Sequence, residues 1–158
     1  NGIGWQSLLF SLSYGYWFLA PDQRKDSVLY AGIRPGQRGI YRSTDDGLTW
    51  SLVRLFAFPS TYPHPYSDFH ASGDTLLHTS SRFPQVADST CGIFVSTDYG
   101  VTWIQVVRNI NVQKLTRDAR KPNEFFAAAR GGIYRSTTSG LTWQIYIDSL
   151  PSLKLVDI

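Results

Sequence analysis

An eight-residue stretch written three times constrains this chain more than any other feature. Ser43 to Trp50 reads Ser-Thr-Asp-Asp-Gly-Leu-Thr-Trp, and Ser96 to Trp103 reads Ser-Thr-Asp-Tyr-Gly-Val-Thr-Trp. Ser136 to Trp143 keeps the frame as Ser-Thr-Thr-Ser-Gly-Leu-Thr-Trp. A unit that recurs in this way builds a chain from equivalent pieces, each of which buries its apolar surface only against a neighbour.

The octapeptide has the chemistry of a tight hairpin. Gly47, Gly100 and Gly140 fall where the chain needs a positive φ, which glycine adopts without steric cost. Asp45 and Asp98 are placed to accept hydrogen bonds from turn amides. Thr49 and Trp50, Thr102 and Trp103, and Thr142 and Trp143 then open the outgoing strand, and each indole folds back over its own turn. Ser43, Ser96 and Ser136 open the three copies, so the whole set has a structural role. In the third copy Thr138 stands in place of aspartate, and a hydroxyl caps a turn more weakly. That hairpin is expected to be the loosest.

The interval between copies sets the scale of the repeat. Asn1-Gly2-Ile3-Gly4-Trp5 matches the second half of an octapeptide, and successive tryptophans then lie 45, 53 and 40 residues apart. Such spacing is that of four-stranded propeller blades. First strands are expected at 14–20, 66–72, 112–117 and 153–158. Second strands are expected where Ser27 to Gly32 aligns with Thr75 to Ser80 and with Glu124 to Ala129. Third strands start at Gly39, Gly92 and Gly132 and run into the octapeptides, and fourth strands leave from Trp50, Trp103 and Trp143. No stretch carries a helical period. The organisation expected is the end of a preceding blade at 1–12, blades at 14–55, 66–108 and 112–148, and the first strand of a next blade at 153–158.

Composition fits this reading and removes several functions. Of 158 residues 15% are aromatic and only 17% charged, with thirteen glycines and eight prolines, as in a β-rich protein with many turns. The formal charge of +3 is scattered, without the basic cluster that nucleic-acid binding requires. The apolar run 8–20 is too short for a membrane span and lacks the basic flank of a signal peptide. Cys91 is the one cysteine, so the chain forms no internal disulfide, and the compartment does not follow from cysteine usage.

On these residues the chain resembles the Asp-box (BNR-type) repeat β-propellers. Tyr30-Ala31-Gly32 followed by Gly39-Ile40-Tyr41-Arg42-Ser43 and the octapeptide looks like blades of xyloglucan-cleaving hydrolases, sortilin-type receptors and photosystem II assembly factors, and sialidases share the box. The resemblance implies an all-β fold, a partial β-propeller of about three four-stranded antiparallel blades with Asp-box hairpins. Propellers of this kind have six to ten blades, so a fragment of a larger ring is expected. The resemblance also implies an extracellular, periplasmic or lumenal location. It does not choose a function, because the box is a structural staple common to all of them.

In a four-stranded meander the octapeptides share one end of the blade with the turns between strands one and two, where Asp22 and Asp118 recur as structural carboxylates. The opposite end carries the variable parts. Third strands begin 7, 12 and 3 residues after Gly32, Ser80 and Ala129, and the connection from Phe56 to Tyr66 is rich in aromatic residues and proline. Variable loops on one face of a regular scaffold are where binding resides. Tyr62, His64, Tyr66, Asp68 and Asp88 are the binding candidates, their rings suited to sugars or to a protein partner.

Catalysis by a glycosidase needs two carboxylates flanking the scissile bond. Asp68, Asp88, Asp148 and Asp157 are the available positions, and no flanking motif marks any of them as catalytic. The sialidase Arg-Ile-Pro signature is absent, since Ile33-Arg34-Pro35 has another order. His64, His70 and His78 lack metal-ligand spacing, Cys91 has no recognisable histidine partner, and no glycine-rich loop precedes a helix. No cofactor and no metal are expected. Two function classes remain: a non-catalytic propeller that binds a protein or glycan through the face opposite the boxes, with further blades of the same ring as partners, and a segment of a secreted glycoside hydrolase whose active site needs additional blades.

Overall fold

The computed structural model describes residues 16–33, 39–55, 68–81 and 90–147. They form β1 (Tyr16–Pro21), β2 (Leu29–Ile33), β3 (Gly39–Ser43), β4 (Ser51–Leu55), β5 (Phe69–Ser72), β6 (Thr75–Ser80), β7 (Gly92–Ser96), β8 (Ile104–Arg108), β9 (Val112–Arg117), β10 (Phe125–Ala129), β11 (Gly132–Ser136) and β12 (Gln144–Ile147). No helix occurs among the described residues. The strands make three four-stranded sheets, β1-β2-β3-β4, β5-β6-β7-β8 and β9-β10-β11-β12, each a meander in chain order. The fold is all-β, a partial β-propeller of three antiparallel blades. The third strands begin and end where the sequence places them. The expected strand at 153–158 and the blade end at 1–12 lie outside the described residues.

One alignment drawn from the sequence shifts by a residue. Leu29 lies opposite Ser43 in the first blade, and Phe125 lies opposite Ser136 in the third. Leu29 is therefore the counterpart of Phe125 and Tyr30 of Phe126, one position from the expected pairing of Ser27 with Glu124. In a strand, one residue exchanges the two faces.

The fourth strands share an irregularity that explains the glycines opening the third. The register slips between Ile40 and Tyr41, Ile93 and Phe94, and Ile133 and Tyr134, the same place in each blade. Such a bulge brings extra backbone close to the partner strand and increases twist. A methyl group on Gly39 would collide with the carbonyl oxygen of Arg54, and one on Gly92 with that of Val107.

The chain divides into two compact units. Among described residues the first holds β1 to β4, β5, the start of β6 and the hairpin residues Ser96–Thr102. Its core is Val28, Tyr30, Ala31, Ile40, Phe69, Ala71 and Leu76, with the Phe69 ring stacked on Phe18 at 4.6 Å and tilted against Tyr30 at 5.2 Å. The second holds the rest of β6, most of β7, β8 and β9 to β12. Its core gathers Leu77, Ile93, Val95, Val112, Leu115, Phe125 and Ala127, with Tyr134 and Trp143 packed against them. Each buried aliphatic or phenyl side chain contributes roughly 1.5–3 kcal/mol, which is what holds each unit together. The outer strands β4, β8 and β12 contain no fully buried residue.

Candidate functional site

The octapeptide hairpins close on themselves. In the first, Ser43 Oγ donates to Asp45 Oδ1 at 2.7 Å and accepts from the Gly47 amide at 2.8 Å. Asp45 also accepts from the Thr49 amide at 2.9 Å and hydroxyl at 2.5 Å, while Trp50 Nε1 donates to the Gly47 carbonyl at 2.9 Å. The second hairpin repeats this through Ser96, Asp98, Gly100 and Thr102, with the Thr102 hydroxyl 2.6 Å from Asp98 Oδ2. In the third, Thr138 Oγ1 accepts from the Thr142 amide at 2.9 Å and Trp143 Nε1 donates to the Gly140 carbonyl at 2.8 Å. The threonine hydrogen bonds, with help from the serines, hold Asp45 and Asp98 down at about 2. These carboxylates are committed to their own turns.

A contact that sequence reasoning missed ties each hairpin to the first turn of its blade. The amides of Asp46, Tyr99 and Ser139 donate to the carbonyls of Ser27, Asp74 and Asn123 at 3.1, 3.0 and 2.9 Å. All three donors have positive φ, 58°, 59° and 55°, directly before the glycine. Asp46 and Ser139 are of types that tolerate or suit a turn, but Tyr99 is not, and it hides the pattern.

Asp22 and Asp118 cap those first turns. Asp22 Oδ1 accepts from the Arg24 amide at 2.8 Å, and Asp118 Oδ1 from the Arg120 amide at 2.8 Å. The Arg120 amide and guanidinium hold Asp118 below the usual carboxylate range. In the third blade Glu124 is buried and paired, accepting from Arg135 Nε at 2.7 Å and lying 3.3 Å from Lys121 Nζ. Arg135, then Lys121, lowers its pKa. An open hollow of about 380 Å³ lies over this turn, lined by Arg120, Lys121, Pro122, Asn123, Glu124 and Thr137.

Of the binding candidates, Tyr62, His64, Tyr66 and Asp88 lie outside the described residues, as do Asp148 and Asp157. Asp68 is described, just before β5. Its Oδ2 accepts from the Leu115 amide at 2.9 Å and lies 2.9 Å from Lys114 Nζ, and its own amide donates to Thr79 Oγ1 at 2.8 Å. The Asp68 side chain is 21% exposed, and through Oδ2 it fixes β9. His78 is buried, its ring 6.2 Å from Phe94 and edge-on to Trp103 at 6.4 Å. Cys91 is buried and forms no disulfide. Among the described residues no group of three or more His, Cys, Asp or Glu could hold a metal, and no helix is long and apolar enough to cross a membrane.

This geometry defines β-propeller blades stapled by internal hairpins. No protein-family model matches the chain. Over 99 residues, 54% of this chain, it is 39% identical to xyloglucanase Xgh74A of Acetivibrio thermocellus, of which that covers 12%. A xyloglucanase of a Paenibacillus species is 34% identical over 102 residues, 56% of this chain and 10% of that protein. The chain thus spans a small part of the relatives it matches. Among solved structures, the GH74 xyloglucanase of Xanthomonas campestris aligns with TM-score 0.61 at 17% identity, covering 83% of this chain and 23% of that one. YCF48 bound to D1 peptide aligns with TM-score 0.53 at 17% identity, covering 82% and 38%. These structural likenesses show the propeller fold.

Proposed function

We propose that the chain contributes glycan-holding blades to a xyloglucanase-like propeller, receiving the polysaccharide on the face opposite the octapeptide hairpins. The observation that carries this reading is the 34–39% identity to xyloglucanases over more than half of the chain. The described blades act as scaffold and contact surface rather than as the reacting groups. Asp22, Asp45, Asp98 and Asp118 hold turn amides, Glu124 holds two cations, and Asp68 holds a strand amide and a lysine. Acid and base carboxylates for glycoside cleavage would come from elsewhere in the active centre. Tyr62, Tyr66 and His64 supply the flat and polar surfaces for sugar rings, with Asp68 and Asp88 as hydroxyl acceptors. An extracellular, periplasmic or lumenal location goes with this reading.

The second reading is recognition of a protein, supported by the likeness to YCF48 bound to D1 peptide. The glycan reading is preferred because its sequence identity is about twice as high. Native electrophoresis in gels cast with and without xyloglucan separates the two. Retardation by xyloglucan is expected, and the double variant Tyr62→Ala, Tyr66→Ala should weaken it about tenfold or more, the loss of one aromatic contact each. Unchanged retardation in that variant defeats the loop-face assignment, and no retardation of the parent by xyloglucan defeats the glycan reading. Release of reducing sugar by this chain alone would contradict its scaffold role.

A further inference from the structure

The innermost strand of the third blade carries an extra residue. Lys114 lies opposite Ala128 and Val112 opposite Ala129, so Gln113 between them has no partner and β9 bulges there. β1 does the same in the first blade, where Phe18 lies opposite Gly32, Tyr16 opposite Ile33, and Trp17 is left over. Lys114 precedes the capping Asp118 at the same interval as Phe18 precedes Asp22, so the two bulges fall at the same place. A bulge re-aims the side chains beside it. In a regular strand Val112 and Lys114 would share a face, whereas here Val112 and Leu115 are buried and the two residues between them are exposed.

The backbone repeats the bulge, but the fold does not call for these side chains. At the place of Lys114 the first blade has Phe18, stacked on Phe69. Lys114 instead extends to Asp68, its Nζ 2.9 Å from Oδ2, and remains 71% exposed. β9 is the last strand of its sheet, and the same Asp68 oxygen accepts from the Leu115 amide. An ion pair with so exposed a partner stabilises a fold little. Packing therefore gives no reason for a lysine here, nor for the glutamine beside it.

Position and chemistry supply the reason. β9 runs from Val112 towards the Asp118 turn, which the third hairpin holds through the Ser139 amide and the Asn123 carbonyl. Its bulged start is therefore at the end of the blade opposite the hairpin. There Gln113 offers a carboxamide that both donates and accepts, and the Lys114 ammonium keeps N–H bonds beyond the one directed at Asp68. Asp68 cancels the charge of that ammonium, so the group presents hydrogen bonds with no net charge. Such a set suits a neutral ligand rich in hydroxyls, which donate and accept in turn, and gives an acidic ligand no electrostatic advantage. We propose that Gln113 and Lys114 bind hydroxyls of a neutral polysaccharide, with Asp68 positioning Lys114. The assignment rests on the glycan reading above and adds to it two side chains and a preference for uncharged sugars.

Calorimetric titration of the chain with xyloglucan and with the acidic polygalacturonate, at about 0.15 M salt to screen scattered surface charge, tests this. Xyloglucan should bind the parent and polygalacturonate should not. The double variant Gln113→Ala, Lys114→Met should bind xyloglucan about tenfold more weakly, the loss of hydrogen bonds to one or two hydroxyls. Its melting temperature should stay within about 2 °C of the parent, because both side chains are exposed. Lys114→Arg keeps a cation beside Asp68 and should retain most of the affinity. Asp68→Asn still offers Leu115 an acceptor but uncovers the ammonium, so polygalacturonate should now bind, an effect that a merely structural aspartate would not produce. Undiminished xyloglucan binding by the double variant overturns the site and leaves the glycan reading standing. Equal binding of both polysaccharides by the parent overturns the neutral preference, and a parent that does not bind xyloglucan refutes the glycan reading and this site with it.

Discussion

Asp22 and Gly73 lie 51 positions apart and are joined by a 2.9 Å hydrogen bond from the Gly73 amide to Asp22 Oδ1. The same oxygen caps its own turn through the Arg24 amide. Beside it the Gln23 amide donates to the Ala71 carbonyl at 3.2 Å, and Asp22 and Ala71 form a parallel bridge. One carboxylate therefore fixes a local turn and a distant one together, at a site with little solvent to replace it.

Asp22→Ala removes the acceptor for two backbone amides at once. A buried donor left without a partner costs about 1–3 kcal/mol. Denaturant unfolding should show a loss of about that size, with Asp22→Asn milder because its amide oxygen still accepts. Equal stability of the alanine variant and the parent would mean that the two turns are held by packing alone.

The hairpins and third strands were legible in the sequence because their chemistry is local. Ser43, Asp45, Gly47 and Thr49 bond one another within seven residues, and Gly39 and Gly92 mark a bulge that recurs in every blade. The second strands were less legible. Val28, Tyr30 and Ala31 are all buried, so no alternation of polar and apolar residues fixes their register. Asp68 shows the limit for the candidate site: its partner Leu115 is 47 positions away, and no local pattern announces it.

Gly92→Ala should be among the most damaging single-methyl changes. Its φ of 145° is strained for any L side chain, and the added carbon meets the Val107 carbonyl, backbone that cannot rotate away. Gly131, with φ 101° and nothing near the position of a Cβ, is the control that isolates backbone strain. Gly131→Ala should cost about 1 kcal/mol and Gly92→Ala clearly more. Thermal or chemical unfolding of the two variants ranks them, and the reverse order would refute the bulge as the reason for Gly92.

Arg135→Leu leaves Glu124, itself buried, with Lys121 as its remaining cation, and the third blade should lose stability. Breaking one side of a buried pair costs several kcal/mol when the other charge is stranded, but Arg135 is 27% exposed and Lys121 stays, so about 1–2 kcal/mol is expected. The double variant Arg135→Leu, Glu124→Val, which copies the valine of the first blade, should recover part of the loss. A double variant no better than the single one would remove the stranded charge as the cause.

Acid should act on the first two hairpins and spare the third. Asp45 and Asp98 have folded pKa values of about 2, below the 3.8 of an unperturbed aspartate, because threonine and serine hydroxyls and backbone amides bond the ionised form. A depressed folded pKa contributes stability that is present above the unfolded value and is lost as pH falls through the folded one. The window is therefore from about pH 4 down to about pH 2. Thr138 has no charge to lose, so its hairpin makes no such contribution, and Thr138→Asp should bring one. Carboxyl NMR shifts should place the midpoints of Asp45 and Asp98 near 2, and the unfolding free energy should fall across the same window more steeply in Thr138→Asp than in the parent. An ordinary midpoint for Asp45 would mean that the hydroxyl bonds of Thr49 do not favour the ionised form, and the hairpin would then owe its closure to Gly47 and Trp50.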